Sequence, residues 1–488
     1  MRFSHLVRAL AILSILSMSV SPSADTDTWW HLRAGELIIE RGEIIQIDPF
    51  SSTQQGEQWI YPGWLSQVFL SQLFEQFSFA GLNLVTGLSV LAAFLFLWSI
   101  LEGNDMLKAF VLVLAAAASG VYWSARPQIF TFLFTGIVIF LLERARKGKI
   151  KSIWVLPVLS ALWANIHGGF AIGFIALSAY ILADLFDMVL SALNDRQPLI
   201  RHWKDHQDFI RTLLLVGLVS AAAVSLNPHG PKMLLYPFTT LSIGALRDYI
   251  AEWQSPNFHS LQTLPFLIMF LLTMISIALS RKTIKSIDIV IPVLFGIMSF
   301  TAARNIGLFA LSAAPVLARH GDDIFERLLA LRKPSKPFPE RVVKILNNGL
   351  FALFFIATLL KIVTVMPDEM NVDRLATQIP LEAFDYIEEN ELPGPIFNSY
   401  NWGGYLIWRL FPDYLSYVDG RTDLFGDRIL DVYLNTWLAR PGWEEELRER
   451  GILLVLIEPD APLAHALAGK GWELQFQDPQ SVVYSLPR

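Results

Sequence analysis

The stretch Leu82-Asn83-Leu84-Val85-Thr86-Gly87-Leu88-Ser89-Val90-Leu91-Ala92-Ala93-Phe94-Leu95-Phe96-Leu97-Trp98-Ser99-Ile100-Leu101 decides the fold. It has no charged residue and the length, roughly 20 residues, that an α-helix needs to cross a hydrocarbon core. Similar runs recur at Phe209–Leu226, Leu261–Ser280 and Asn347–Met366. The chain of 488 residues is 53% hydrophobic and 17% charged, with mean hydropathy +0.44. Soluble domains carry roughly 25% charge. These features predict a mainly α-helical, polytopic membrane protein.

Working outward on hydropathy alone gives about eleven spans, near 6–22, 81–101, 107–123, 128–142, 152–166, 169–190, 209–226, 261–280, 286–300, 303–319 and 346–366. The first run has a basic start (Arg2, Arg8) and small residues near Ala24, as a signal peptide would. Pro22 opposes cleavage at Ala24, so this run is read as a retained helix. With the N-terminus in the cytoplasm, the connections on that side hold Arg144, Arg146, Lys147, Lys149 and Lys151, then Arg196, Arg201 and Lys204, then Arg281, Lys282 and Lys285. The last one, Arg319–Lys344, adds Arg332, Lys333 and Lys336. Basic residues on the cytoplasmic side are what the positive-inside rule requires.

That topology sends the remaining connections outward. A large first outer loop runs from about 23 to 80, and the composition shifts again after the last span. Residues 367–488 are expected to form a small extracytoplasmic α/β domain beside a membrane domain of residues 1–366. Within it Pro395–Tyr400, Leu415–Val418, Ile452–Ile457 and Ser481–Ser485 read as strands. Gly403–Leu410, Trp443–Arg450 and Pro462–Gly469 read as helices.

The first outer loop opens with Asp25-Thr26-Asp27-Thr28-Trp29-Trp30-His31-Leu32-Arg33-Ala34-Gly35-Glu36. A helix from Thr28 would place Trp30, Ala34, Leu37 and Ile38 on one stripe, with Gly42 as its stop. It reads as an interfacial helix along the outer surface. Asp27 suits a helix cap and the tryptophans an aromatic belt. Neither role uses Asp25 or His31. Two carboxylates there suit general-base work, in which an acceptor hydroxyl loses its proton as an anomeric carbon gains positive charge. They could also hold a divalent cation, though no sequence feature requires one.

Other outer connections carry Ser124-Ala125-Arg126-Pro127-Gln128, Asn165-Ile166-His167-Gly168-Gly169, Asn227-Pro228-His229-Gly230, Glu252-Trp253 and Ala303-Arg304-Asn305. Arginine at a span end is costly unless paired or wet, and its fork of donors fits a phosphate. Arg126 and Arg304 are therefore candidate phosphate contacts, weighed against snorkelling to lipid phosphates. Arg33 is a candidate too, with pairing to Glu36 or Glu40 as the simpler account. His167 is a candidate ligand contact; His229 reads as part of a turn. In the C-terminal domain, Phe397–Tyr405 and Asp419–Asp423 mix polar, aromatic and glycine residues in a way that suits both sugar binding and ordinary turns.

Several classes are excluded or disfavoured. No basic tract interleaves with aromatics as a nucleic-acid binder needs. The absence of cysteine removes disulfides, thiolate metal sites and a cysteine nucleophile. No histidine spacing makes a metal set.

The aspartate-bearing first outer loop, the many spans and the outer C-terminal domain resemble the GT-C superfamily of integral-membrane glycosyltransferases that use polyprenyl-phosphate sugars. More closely, Asp25–Glu36, Asp48–Ser51, Trp59–Gln67, Ala125–Gln128, Trp163–Phe170, Leu226–Gly230 and Asn398–Gly426 resemble a bacterial multi-pass family grouped with GT-C. Relatives carry an acidic residue before Trp-Leu where this chain has Gly63, so no second carboxylate is implied in that stretch. The resemblance implies the cytoplasmic membrane, a lipid-linked donor entering from the bilayer, and inverting transfer to a glycan, lipid or protein acceptor outside. With it go Asp25 or Asp27 as the base or metal-linked carboxylate, Arg126 and Arg304 as phosphate contacts, and His31, Arg33 and His167 as further substrate-binding residues. The rival reading is a non-catalytic component that binds or passes a glycolipid. It would call for ionisable side chains buried within the spans, for which Asp184 and Asp187 are the sequence candidates.

Overall fold

The computed structural model describes residues 1–331 and 339–486. Arg332, Lys333 and Lys336 lie outside the described residues. The protein is mainly helical, at 71%, with one small sheet near its C-terminus. A helix lies over each apolar run. Among the described residues six helices are long and apolar enough to cross a membrane, and four shorter apolar ones accompany them. Helix formation follows from the runs themselves, because backbone groups in lipid must be satisfied within the segment.

The chain divides into two compact units. The first comprises Met1–Ser21, Asn83–Leu234 and Ala251–Val365. Helix Phe3–Ser19 packs there on Asp105–Ser119 and Glu340–Val365. Helix Ile306–Ala330 is its centre: every residue from Ile306 to His320 is buried. Small residues let helices approach closely, as is usual in membranes. A Cβ at Gly136 would come within 3.0 Å of the Ala93 methyl. Helix Glu340–Val365 leaves Leu346, Leu353, Phe355, Ile356, Leu360 and Val363 exposed, the pattern of a face turned to lipid.

The second unit draws on Pro22–Leu82, Leu235–Ile250 and Met366–Arg488. The predicted helix from Thr28 is present as Thr28–Arg41, closed by Gly42 in the left-handed conformation (φ 68°). It is not a surface helix. Trp29, Trp30, His31, Leu32, Ala34, Gly35, Leu37 and Ile38 are all buried. Helix Gly403–Leu410 packs against it, and Gly35 meets the Gln67 backbone carbonyl so closely that no Cβ fits. The apolar run at 81–101 also starts earlier than hydropathy indicated. The helix runs Trp64–Trp98 with a break at Ser78 (φ 50°, ψ −144°).

The sheet contains β1 (Ile396–Asn398), β2 (Leu454–Ile457), β3 (Glu473–Gln477) and β4 (Val482–Ser485), in the order β1-β2-β4-β3. β1 and β2 are parallel; β2/β4 and β3/β4 are antiparallel. All of β2 is buried, as its unbroken Leu-Val-Leu-Ile run requires of a central strand. The expected strand at Leu415–Val418 is absent. Ser416 instead makes a single bridge to Ser51, its N–H donating to the Phe50 carbonyl (3.0 Å) while Ser52 donates to its carbonyl (2.8 Å). Helices Asp368–Ala376, Leu381–Glu389 and Thr422–Trp437, and strand β3, went unread because their apolar residues are sparse or irregularly spaced.

Gly403 carries a backbone crossing as tight as that at Gly35, since a Cβ there would collide with the Val418 carbonyl and lie 2.7 Å from Asp419 Cβ. Gly403→Ala is expected to destabilise by about 1–3 kcal/mol through overpacking. Gly349→Ala, inside helix Glu340–Val365 and meeting nothing within 4 Å, should not destabilise and should gain up to about 1 kcal/mol. Thermal unfolding of the purified variants checks both.

Candidate functional site

In the second unit the opening loop is held by glycines. Asp25 Oδ1 accepts the Asp27 N–H at 2.9 Å, turning the chain into the helix. Asp27 stands at the N-cap position with helical angles (φ −81°, ψ −19°), and its side chain makes no capping bond. Its carboxylate lies instead against Gly420, so close that a Cβ at 420 would fall on Oδ1. Gly404 does the same for the Thr26 carbonyl, at 2.6 Å. The glycines of Asn-Trp-Gly-Gly and Asp-Gly-Arg therefore seat the aspartate loop.

A buried ion triad fixes that seat. Arg421 grips Asp419 with Nε (2.7 Å) and Nη2 (2.8 Å) and reaches Asp48 with Nη1 (2.5 Å). All three side chains are fully buried. Asp48 also accepts the N–H groups of Phe50 (3.0 Å) and Ser51 (3.1 Å) and the Ser51 hydroxyl. Asp419 accepts the Ser416 hydroxyl (2.8 Å). The guanidinium stacks over Trp59 at 4.9 Å and Phe50 at 5.3 Å. Asp48 and Arg421 lie far apart in sequence, and nothing in either segment names the other as partner. Nearby, Asp423 accepts the Tyr236 hydroxyl at 2.9 Å. Desolvation pushes the Asp423 carboxyl above its usual range, against the pull of Tyr236 and Arg421.

His31 is 4% exposed, its ring stacked on Trp30 at 3.5 Å and its Nδ1 3.5 Å from Gln67 Nε2. Arg33 donates to Glu36 (3.0 Å) and Glu40 (2.9 Å) and lies over the Phe411 ring. Both residues have protein partners that account for them. Among the described residues no group of three or more His, Asp or Glu side chains converges as a metal set.

Arg126, His167 and Arg304 belong to the first unit, where the structure brings them to one cluster. Glu252 joins the two arginines: Arg126 Nη2 donates to Oε2 at 2.7 Å, and Arg304 Nη1 pairs with Oε1 at 3.2 Å. Arg126 Nε also donates to Ser124 Oγ (3.2 Å), and Arg304 lies over the Trp253 ring at 4.2 Å. Burial works against the charge of Glu252, but Arg304 and Arg126 overcome it and hold the carboxyl below its usual range. Glu252 was legible only as an outer-loop acid; its bridging role depends on three distant segments. Two guanidiniums against one carboxylate leave the cluster cationic.

His167 Nδ1 accepts the Gly169 N–H at 3.0 Å and sits 2.8 Å from Thr131 Oγ1, which itself accepts the Trp163 indole N–H at 2.8 Å. An acceptor Nδ1 places the proton on Nε2. Burial, then Arg304 and Arg126, push this imidazole down to about 3. His229 makes the expected turn, its N–H donating to Asn227 Oδ1 at 2.9 Å.

The first unit also buries Glu143, Asp288 and His320, which sequence reading passed over, and Arg319, which was expected in a connection but lies within helix Ile306–Ala330. Arg319 pairs with Asp288 and with Glu143 (3.3 Å), and Tyr180 donates to Glu143 at 2.7 Å. Glu143 lies in the last turn of Gln128–Arg146 and Asp288 in the first turn of Ser286–Thr301. The two acids therefore sit at helix ends, on the basic side of the helices. Asp184 is paired with His206 (3.0 Å), and Asp187 accepts the Ser286 N–H (2.8 Å).

A histidine whose folded value is depressed takes up protons more readily when unfolded. Its contribution disfavours folding progressively as pH falls from about 6.5 toward 3, and vanishes above neutrality. His167→Gln is expected to unfold at a temperature less sensitive to acidification from pH 7 to pH 5 than the wild type, as thermal scans across that range would read.

No family model matches the chain, and no curated protein matches it. Solved structures do. An archaeal oligosaccharyltransferase, AglB from Archaeoglobus fulgidus in complex with an inhibitory peptide and a dolichol-phosphate, superposes with TM-score 0.58 at 11% identity. That match covers 99% of this chain and 74% of that one. The apo form of the Archaeoglobus fulgidus oligosaccharyltransferase gives TM-score 0.56 at 12% identity, covering 100% and 75%. ArnT from Cupriavidus metallidurans bound to undecaprenyl phosphate gives TM-score 0.50 at 13% identity, covering 99% and 97%. Likeness at such identity speaks to architecture, and the chain shares the fold of these solved structures.

Proposed function

We propose that this protein is a membrane glycosyltransferase that moves a sugar from a polyprenyl-phosphate donor to a glycan, lipid or protein acceptor of the bacterial envelope, with inversion, on the outer face of the cytoplasmic membrane. Fold alone does not assign chemistry. The observation that carries the reading is the Glu252-bridged pair of Arg126 and Arg304, a cationic cluster at span ends in a chain with the GT-C fold. Guanidinium forks of this kind hold phosphate oxygens, and neutral His167 beside them supplies an Nε2–H donor. Such a grip stabilises charge on the departing polyprenyl phosphate.

The working carboxylate is assigned to Asp25 or Asp27. Each is partly open to solvent and seated by the turn at Asp25 or by Gly420. As general base it takes the acceptor's proton while the anomeric carbon loses its phosphate. A divalent ion, if used, would be held by these two carboxylates, with water and substrate oxygens completing an oxygen shell. His31 and Arg33 support the helix behind the loop. The buried charges of the first unit give the binding or transport reading some footing. They are mutually paired near helix ends, however, whereas a carrier needs groups free to exchange ions at mid-membrane.

Replacing the base is expected to lower transfer about 10²–10⁴-fold. Asp27→Asn and Asp25→Asn both retaining full transfer in a purified assay would overturn the assignment of the carboxylate. Gly420→Ala should mimic the loss by displacing Asp27. Arg126→Ala and Arg304→Ala should each weaken binding of undecaprenyl phosphate by about 1.5–3 kcal/mol, measured by titration in detergent. Mass spectrometry of envelope glycans and lipids, with and without the protein, tests the whole: unchanged products on deletion would favour the binding or transport reading.

A further inference from the structure

At the other end of the first unit, four segments surround a cavity. Glu102 follows helix Trp64–Trp98; Arg146 and Lys147 end helix Gln128–Arg146; Lys282, Thr283 and Lys285 precede helix Ser286–Thr301; and Arg319 comes from the central helix. The cavity measures about 310 Å³. It is not the Glu252 cluster. The 19-residue helix that begins just after Arg126 ends at Arg146, and at 1.5 Å per residue those ends lie about 28 Å apart.

Five cationic side chains line this cavity against one carboxylate. Its floor is anchored: Arg319 is bound by Asp288 and Glu143, Arg146 by Glu143 (2.8 Å), and Lys282 by Asp322 (3.0 Å). Glu102 is the carboxylate within the opening, shared among three cations, of which Arg319 and Lys282 hold closer acids below and Lys147 also donates to the Ile100 carbonyl (3.2 Å). Lys147 Nζ is 3.2 Å from it, Arg319 Nε 3.6 Å and Lys282 Nζ 3.8 Å. Charge-assisted bonds close to about 2.7–2.9 Å. Lys147 and Lys285 are exposed at the rim, able to swing onto a ligand.

We propose that this cavity binds a phosphate-bearing anion, either the headgroup of an anionic phospholipid or free phosphate, which bridges Lys147, Lys282, Lys285 and the guanidinium of Arg319. The non-bridging oxygens of a phosphate, two on a phosphodiester headgroup and more on the free anion, add acceptors that Glu102 does not supply. The site lies on the basic side of the helices, where anionic lipid is recognised by such pockets. Bound there, the anion ties the end of helix Gln128–Arg146 and the connection before Ser286–Thr301 to the middle of helix Ile306–Ala330, and stabilises the first unit. The inference is independent of the transfer reaction.

The test uses the full chain in nanodiscs. Thermal unfolding is measured in phosphatidylcholine alone, in phosphatidylcholine with added phosphatidylglycerol, and in phosphatidylcholine with inorganic phosphate, against chloride at matched ionic strength. A higher unfolding temperature with phosphatidylglycerol only identifies a lipid headgroup; a rise with inorganic phosphate as well identifies a site open to the free anion. Either gain should disappear in Lys147→Ala/Lys282→Ala/Lys285→Ala. Should that triple variant fail to fold, Lys285→Glu at its exposed position should still weaken the apparent affinity about tenfold. No gain with either anion, or an undiminished gain in a folded variant, overturns the proposal.

Discussion

The second unit depends on one buried cation. Arg421 is enclosed by Asp48 and Asp419, and the two carboxylates also accept backbone N–H groups and serine hydroxyls. Burying three charges is costly, and the arrangement holds only because its geometry and hydrogen bonds are complete. Losing one partner would strand the others without solvent. The triad therefore locks the segment around Asp48 to the segment around Asp419. Gly420, between two members of the lock, is the residue that leaves room for Asp27. Structural charge and candidate catalytic charge are neighbours here, and the first sets the position of the second.

The first unit is governed by a different constraint. Lipid admits helices and rejects unpaired charge, so charged groups gather at helix ends, and the two ends differ in kind. At one, two arginines share a single acid beside a histidine, an arrangement that leaves net positive charge. At the other, a paired network around Arg319 supports a rim of lysines. The same helices, Gln128–Arg146 and Ser286–Thr301, carry residues of both groups at or beside their opposite ends, so each cluster is as well fixed as the packing between them.

Fold likeness at 11–13% identity means that one architecture is carried by largely different side chains. Cores tolerate this because hydrophobic residues of about the right volume substitute for one another. Sites do not, because hydrogen bonds and ion pairs need particular atoms at particular distances. The functional reading accordingly rests on named side chains, with the architecture as context.

Hydropathy determined the helical class and the position of each apolar run, because a long apolar segment has one satisfied conformation in lipid. It also located Asp25–Asp27, the helix from Thr28 with its glycine stop, strands β1, β2 and β4, and helix Gly403–Leu410, whose signals are local. Arg33 with Glu36 and Glu40 was legible for the same reason, since helical spacing alone brings them together. Only the tertiary structure decided that the Thr28 helix is buried, that Leu415–Val418 is not a strand, and that Asp27 rests on Gly420 rather than capping its helix. The same holds for the pairs Asp48–Arg421, Glu252 with Arg126 and Arg304, and Arg319 with Asp288. Each joins residues separated by tens to hundreds of positions. Partner choice over such distances is set by packing, which no periodicity in a single sequence encodes.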